Sequence, residues 1–225
     1  MRILALDTAL NACAACIFDT AGGEIAGESI AMNRGHAEAL VPLVARIAER
    51  AGGLSTLDRI VTTVGPGSFT GLRVGISAAR GFALALKIPC VGVTTLAAIA
   101  ARHIDERDNR AVASAIDARH GNVYFQLFSA RGRTIVEARA MPLRDAARAL
   151  GGGTVKLAGP AAPLVYKEAR TAGASCVVVD EEPAPEIGWV AKLGMVAPSE
   201  GARPRPLYLK PADATPQHNG RLART

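Results

Sequence analysis

The sequence predicts an α/β chain made of two related halves, the second reduced, and three observations carry that reading. Short apolar runs of strand character alternate with stretches of helical period. The opening pattern of strand, Asp, loop, strand, glycine turn and strand returns after a shift of 110 residues, with no gap needed. On that shift Asp7 falls on Asp117, Ile17 on Leu127, Phe18 on Phe128, Gly22 on Gly132 and Ile25 on Ile135. Between the copies, Asp105-Glu106-Arg107-Asp108-Asn109-Arg110 carries no apolar residue. It separates a first domain over 1–104 from a second, smaller one over 111–197, with 198–225 as a C-terminal extension and basic tail.

The first half opens with strands expected over 3–6, 12–18 and 24–31, an antiparallel meander turned by Ala21-Gly22-Gly23. Cys13 and Cys16 stand three apart on the second strand, so they point to opposite faces and read as buried thiols rather than a metal or redox pair. A helix follows in which Leu40, Leu43, Val44, Ile47, Ala48 and Ala51 keep the helical period. Gly52-Gly53 stops it, and Pro42 should bend it if it lies beyond the first turn. His36 lacks a ligand partner at i+4 and reads as a surface or capping histidine.

The next block, a strand over 59–64, Gly65-Pro66-Gly67 and a helix over 72–86, holds the chain's most specific pattern. Ser68 or Thr70 is placed to cap the helix. Strand, glycine turn and helix N-terminus are the parts of an anion site. The stretch is not a P-loop, since no Gly-Lys-Ser/Thr follows, and Thr70 stands where a dinucleotide fingerprint needs its third glycine. In the helix Gly71, Gly75, Ala79 and Ala83 form a small-residue ridge beside a stripe of Leu72, Ile76, Ala78, Phe82 and Leu86. Such a ridge suits either packing on the chain's own sheet or the approach of a partner chain.

A strand over 87–93 and a helix over 96–103 capped by Thr94-Thr95 complete this half. After the second meander come a helix over 143–150, a strand over 155–158 leading into Gly159-Pro160, and a helix over 163–172. A strand over 176–179 and a helix over 187–195 follow. Pro206-Leu207-Tyr208-Leu209 is the expected anchor of the proline-rich end, and 218–225 reads as a mobile tail.

With 225 residues, 49% hydrophobic, the chain can bury a real core. A net charge of +6 permits an anionic partner such as RNA without demanding one, and no RNA motif with interleaved aromatics appears. Asp7 interrupts the N-terminal apolar run too early for a signal peptide, and no run reaches membrane length, so a cytosolic protein without membrane contact is expected. His36, His103, His120 and His218 form no metal-spaced pair.

Two related halves imply a cleft in which Asp7 and Asp117 face each other. There Thr8, Gly67, Ser68 and Arg119 would grip phosphates while the carboxylates hold Mg²⁺ through water. The plainer alternative is that each Asp bonds its own turn. The arrangement resembles the actin, sugar kinase and Hsp70 superfamily, whose second glycine-rich loop corresponds to Leu157-Ala158-Gly159-Pro160-Ala161-Ala162. Pro160 has no N–H to offer there, which counts against a self-sufficient ATP site.

The resemblance narrows on Ile3-Leu4-Ala5-Leu6-Asp7-Thr8, Gly35-His36-Ala37-Glu38 with Pro42, the 65–75 block, Asp117-Ala118-Arg119 with Val123-Tyr124, and Pro206-Leu207-Tyr208-Leu209. Together they are similar to the TsaB (YeaZ) family, with departures at Leu10 and Asn122 that bear on cleft contacts. The resemblance implies a non-catalytic, accessory subunit of the tRNA threonylcarbamoyladenosine machinery. Its expected partners are a larger TsaD-like paralogue, a TsaE-like ATPase and, through the complex, tRNA. Pairing, whether with the paralogue or as a homodimer, would use Leu40, Leu43, Val44, Ile47, Gly71, Leu72, Gly75, Ala78, Ala79 and Phe82. No cofactor of its own is expected, only ATP or ADP at a subunit boundary. Two rival readings are an ATP-dependent small-molecule kinase using Asp7 and Asp117, and a protease, for which no Ser/His/Asp set is recognisable.

Overall fold

Residues 3–6 and 12–18 carry no polar side chain, a pattern that needs cover on both faces of a sheet. The structure, a computed structural model, describes residues 1–198 and 204–210. In it these stretches are β1 (Arg2–Asp7) and β2 (Ala12–Asp19). With β3 (Gly23–Ala31), β4 (Arg59–Thr63) and β5 (Cys90–Val93) they form a sheet of order β3-β2-β1-β4-β5. The meander is antiparallel, and β4 and β5 run parallel to β1. One face is covered by α1 (His36–Arg50) and α2 (Phe69–Leu86), which enclose Leu4, Leu6, Cys13, Ala15 and Ile17. Cys16 lies in the cluster on the opposite face, so the two cysteines part as period 2 requires. α1 continues through Pro42, whose ring faces outward. α2 begins three residues before the expected start because Ser68 caps it, its hydroxyl accepting from Gly71 N–H.

The second half repeats the plan. It comprises β6 (Val112–Asp117), β7 (Asn122–Phe128), β8 (Thr134–Pro142), α4 (Leu143–Arg148), β9 (Val155–Ala158), α5 (Ala162–Thr171) and β10 (Cys176–Val178). Its order, β10-β9-β6-β7-β8, is the first sheet's order in reverse reading. The remaining helices are exchanged. α3 (Thr95–Ala101) leaves the first half to bury Leu96, Ile99 and Ala100 on Val112, Ile116 and Phe128. α6 (Ile187–Val196) returns from the second half to bury Ile187, Val190 and Ala191 on Ile3, Ala5 and Val61. Gly194 permits that approach, because a Cβ there would collide with the side chain of Val61.

The repeat is present, but not without a gap. Ile17 pairs with Ala26 and Phe18 with Glu24 across a β-bulge; Leu127 pairs with Val136 and Phe128 with Thr134 across the same bulge. There the shift of 110 holds. On the first strand it does not: Leu4 lies between Ile17 and Ile60, and the residue between Leu127 and Leu157 is Ala113. The equivalent of Asp7 is therefore Ile116, the partner of Tyr124, as Asp7 is of Ala14. The second hairpin holds one extra residue, within a turn that uses positive φ at Arg119, His120 and Gly121. Since side chains alternate along a strand, a slip of one residue puts Asp117 on the opposite sheet face from Asp7.

The charged stretch between the halves is pinned. Lys156, buried on β9, donates to His103 O at 2.7 Å and pairs with Asp108 at 2.6 Å, while His103 Nε2 lies 2.8 Å from Asp180. Residues 204–210 form a strap along the first sheet, where Leu207 N–H donates to Val64 O at 2.7 Å and Arg80 donates to Pro204 O. This is the expected anchor; the expected tail over 218–225 lies outside the described residues.

Candidate functional site

The loop after β1 is built from the inside. Asp7 is fully buried, and its Oδ1 accepts from Thr63 Oγ and from Ala9 N–H, so the carboxylate bonds its own turn. Oδ2 is buried with no partner among the described residues. Burial pushes the carboxyl up to about 6, against the opposing pull of Thr63, the Ala9 amide and the charge of His36. His36 Nε2 itself lies 3.0 Å from Leu10 O and so braces this loop. The loop is laced to the 65–68 turn: Ser68 N–H donates to Ala9 O at 2.7 Å and Thr8 Oγ1 donates to Gly71 O at 2.7 Å. Gly67, Gly71 and Gly75 are glycine for the same reason, since a Cβ on the first two would strike the carbonyls of Ala9 and Thr8, and one on Gly75 would stand 2.5 Å from Thr8 Oγ1.

Opposite, the turn after β6 is open to solvent. Asp117 Oδ1 accepts from Arg119 N–H at 2.8 Å, and Arg119 reaches back to Asp117 at 3.8 Å with its side chain 82% exposed. A cleft of about 500 Å³ lies between the two turns. Of the six expected cleft residues it is lined by Gly67, Ser68, Asp117 and Arg119. Asp7 and Thr8 are buried behind it, so the expectation of two facing aspartates is corrected: Asp7 is held inside its own turn and Asp117 sits on the other sheet face. Asn11, Tyr124 and Lys210 also line the cleft. Of these, Lys210 had one faint signal in the sequence, its place directly after the expected anchor.

Part of the cleft's hydrogen-bonding capacity is already used within the chain. The amide of Ser68 is spent on Ala9 O, that of Arg119 on Asp117, and Pro160, on the far wall, has none. Gly159, at φ +96, is packed closely on Ala115 O, where a Cβ would collide. Among the described residues no group of three or more His, Cys, Asp or Glu is placed to hold a metal. Ser68 Oγ serves as a helix cap, and no histidine lines the cleft among the described residues.

The expected pairing residues are mostly interior. Leu40, Leu43, Val44, Ile47 and Ala79 are fully or almost fully buried against β1, β2 and β4, and Leu72 is buried with Val64 and Ala9. Gly71 and Gly75 lie under Thr8, and Ala78 and Phe82 are partly buried against the same core. Leu40, Leu43, Val44 and Ile47 of α1 and Gly71, Leu72, Gly75 and Ala79 of α2 are therefore core, and reading those as a docking face is corrected on that ground, while Ala78 and Phe82 keep part of their surface exposed. What α2 does present is Phe69, 53% exposed, with Arg73 3.8 Å above its ring and Tyr208 of the strap stacked on it at 5.7 Å. Val41 on α1 and Leu84 on α2 are also exposed. Sequence periodicity missed this patch, because Tyr208 joins it only through the path of the strap.

Comparison with known proteins follows the same line. The family model of tRNA N6-adenosine threonylcarbamoyltransferase, TsaD, matches residues 29–179. The solved YeaZ from Pseudomonas aeruginosa superposes with a TM-score of 0.74 at 28% identity, covering 92% of this chain and 99% of that one. The Escherichia coli K12 protein named tRNA threonylcarbamoyladenosine biosynthesis protein TsaB is 37% identical over 126 residues. The chain belongs to the TsaB (YeaZ) family. An uncharacterized Mycobacterium tuberculosis protein is 32% identical over 219 residues, 95% of this chain and 94% of its own. The match to the Escherichia coli TsaB spans 56% of this chain and about half, 54%, of that relative's length. No helix among the described residues is long and apolar enough to cross a membrane.

Proposed function

We propose that this chain is a non-catalytic, activating subunit in tRNA threonylcarbamoyladenosine biosynthesis. It pairs with a larger TsaD-like paralogue, with a TsaE-like ATPase joining them. The pair transfers threonylcarbamoyl to the adenosine beside the anticodon in tRNAs reading codons that start with A. The observation that carries this reading is the likeness to YeaZ across nearly the whole of both chains, on a fold whose cleft has the amides of Ser68 and Arg119 bonded internally. The kinase reading is disfavoured by the same geometry, since a buried Asp7 bonded to its own turn does not reach a metal's water in the cleft.

The pairing surface is assigned to the outward side of α2 and the strap: Phe69, Arg73 and Tyr208. Aromatic and arginine side chains that are already ordered against each other lose little further freedom on binding. The test is threonylcarbamoyl transfer to tRNA by the purified paralogue and ATPase, with and without this chain. Transfer that requires the chain supports the reading; full transfer without it refutes it. In the same system Phe69→Ser with Arg73→Glu is expected to weaken co-elution with the paralogue at least tenfold with the melting temperature little changed. Unaltered co-elution would move the interface elsewhere.

A further inference from the structure

At the far end of α2 from the cleft lies a second hollow, of about 640 Å³. Three cations line it: Arg80 and Lys87 from the end of α2 and Arg205 from the strap. Ile88 and Cys90 give it an apolar floor beside the largely exposed Leu84, and no carboxylate lines it among the described residues. Lys87 and Arg205 make no ion pair among the described residues, while Arg80 is fixed in place by donating to Pro204 O. Two of the four final carbonyls of α2 are capped within the chain. Ala83 O and Leu84 O are taken by the N–H groups of Ile88 and Lys87. The strap forms the wall because Gly92 lacks a side chain, leaving Pro204 to pack 3.3 Å from where its Cβ would stand.

We infer that this hollow docks the phosphodiester backbone of an RNA strand, with Lys87 and Arg205 contacting phosphates and Leu84 and Ile88 receiving a sugar or base face. Convergent cations around an apolar floor match a polymer that alternates anionic and apolar surface, and backbone contacts carry no sequence information. The absence of interleaved aromatic motifs fits that mode. The inference rests on the reading that the chain works on tRNA, and it concerns a surface separate from the cleft and from Phe69.

The test measures binding of a labelled tRNA to the full chain alone across a salt series, for the wild type and for Lys87→Gln with Arg205→Gln. Each phosphate contact contributes about 0.9 to the slope of log affinity against log salt. Loss of two contacts is expected to make the slope shallower by about 2 and to lower affinity by roughly 50-fold at 0.1 M salt. The charge-conserving Lys87→Arg with Arg205→Lys should bind as wild type, which guards against a folding defect. Arg131→Gln with Arg133→Gln, exposed on the β7–β8 turn, should leave the slope unchanged.

An unchanged slope in the Lys87/Arg205 variant, or an equal loss in the Arg131/Arg133 control, overturns the proposal. So does binding of millimolar pyrophosphate that needs Lys87 and Arg205 while tRNA affinity does not, since the hollow would then serve free phosphates. Transfer activity that does not depend on the chain would defeat the accessory-subunit reading, and this binding series reads out without it.

Discussion

Substituting Asp7 by Asn tests the interior of the cleft-side turn through its pH dependence. The carboxyl is fully buried, Oδ2 lacks a partner among the described residues, and its pKa is raised from the ordinary 3.8 to about 6. A group whose pKa is higher in the folded than in the unfolded chain binds its proton more tightly when folded. Its contribution to stability is fully present below pH 3.8 and is lost as pH rises through about 6. The ionised carboxylate therefore costs about 3 kcal/mol at pH 8, and about 2 kcal/mol of that loss falls between pH 4 and pH 8. Asparagine carries no charge at any of these values. Its Oδ1 keeps the bonds from Thr63 and Ala9, and its buried amide NH₂, placed where Oδ2 stood, imposes a cost that does not vary with pH. The stability difference between Asp7→Asn and wild type should thus move by about 2 kcal/mol in favour of the variant from pH 4 to pH 8. For a chain of this size that is about 4–8 °C in melting temperature. Thermal or urea unfolding of both proteins at pH 4, 5, 6, 7 and 8 measures it, and other titrating groups cancel in the difference. A difference that is the same at pH 4 and pH 8 would refute the argument, because an ionisable group that is buried and half-satisfied cannot be silent across its own titration.

The remaining predictions follow from packing. Ile47→Ala should cost about 2–4 kcal/mol of stability without changing affinity for the paralogue, because Ile47 is fully buried in the first core; weakened pairing at unchanged stability would restore the docking reading of α1. Gly75→Leu should prevent folding rather than merely prevent pairing, since even a Cβ meets Thr8 Oγ1 at 2.5 Å, and a well-folded, unpaired variant would contradict the packing described. Lys156→Met should cost about 1–3 kcal/mol by leaving His103 O without its donor, and should raise the pKa of Asp108. Arg110 and then Lys156 hold that carboxyl down to about 2. Carboxyl titration by NMR reads the second effect, and an unmoved Asp108 would show that Arg110 alone sets its charge.

Much of this architecture is legible in the chain itself because its signals are local. Strand and helix periods, the Ser68 and Thr94 caps and the breaks at Gly52-Gly53 depend on neighbours within a few residues, so β9 over Val155–Ala158 coincides with its expected span and α5 and α6 lie within a residue of theirs. The motif from Gly65 to Gly75 and the repeated meander likewise need no knowledge of the distant chain. Two matters were decided only by the tertiary structure. An apolar stripe states that a helix face will be covered but not by what, and the burial of Leu40, Leu43, Val44 and Ile47 under their own sheet leaves Phe69, Arg73 and Tyr208 as the exposed ordered patch. A repeat in sequence also states similarity without register. One extra residue in the second hairpin, invisible in an ungapped comparison, turns Asp117 to the other face of its sheet, because side chains on a strand alternate and pairing partners far along the chain fix which face is which.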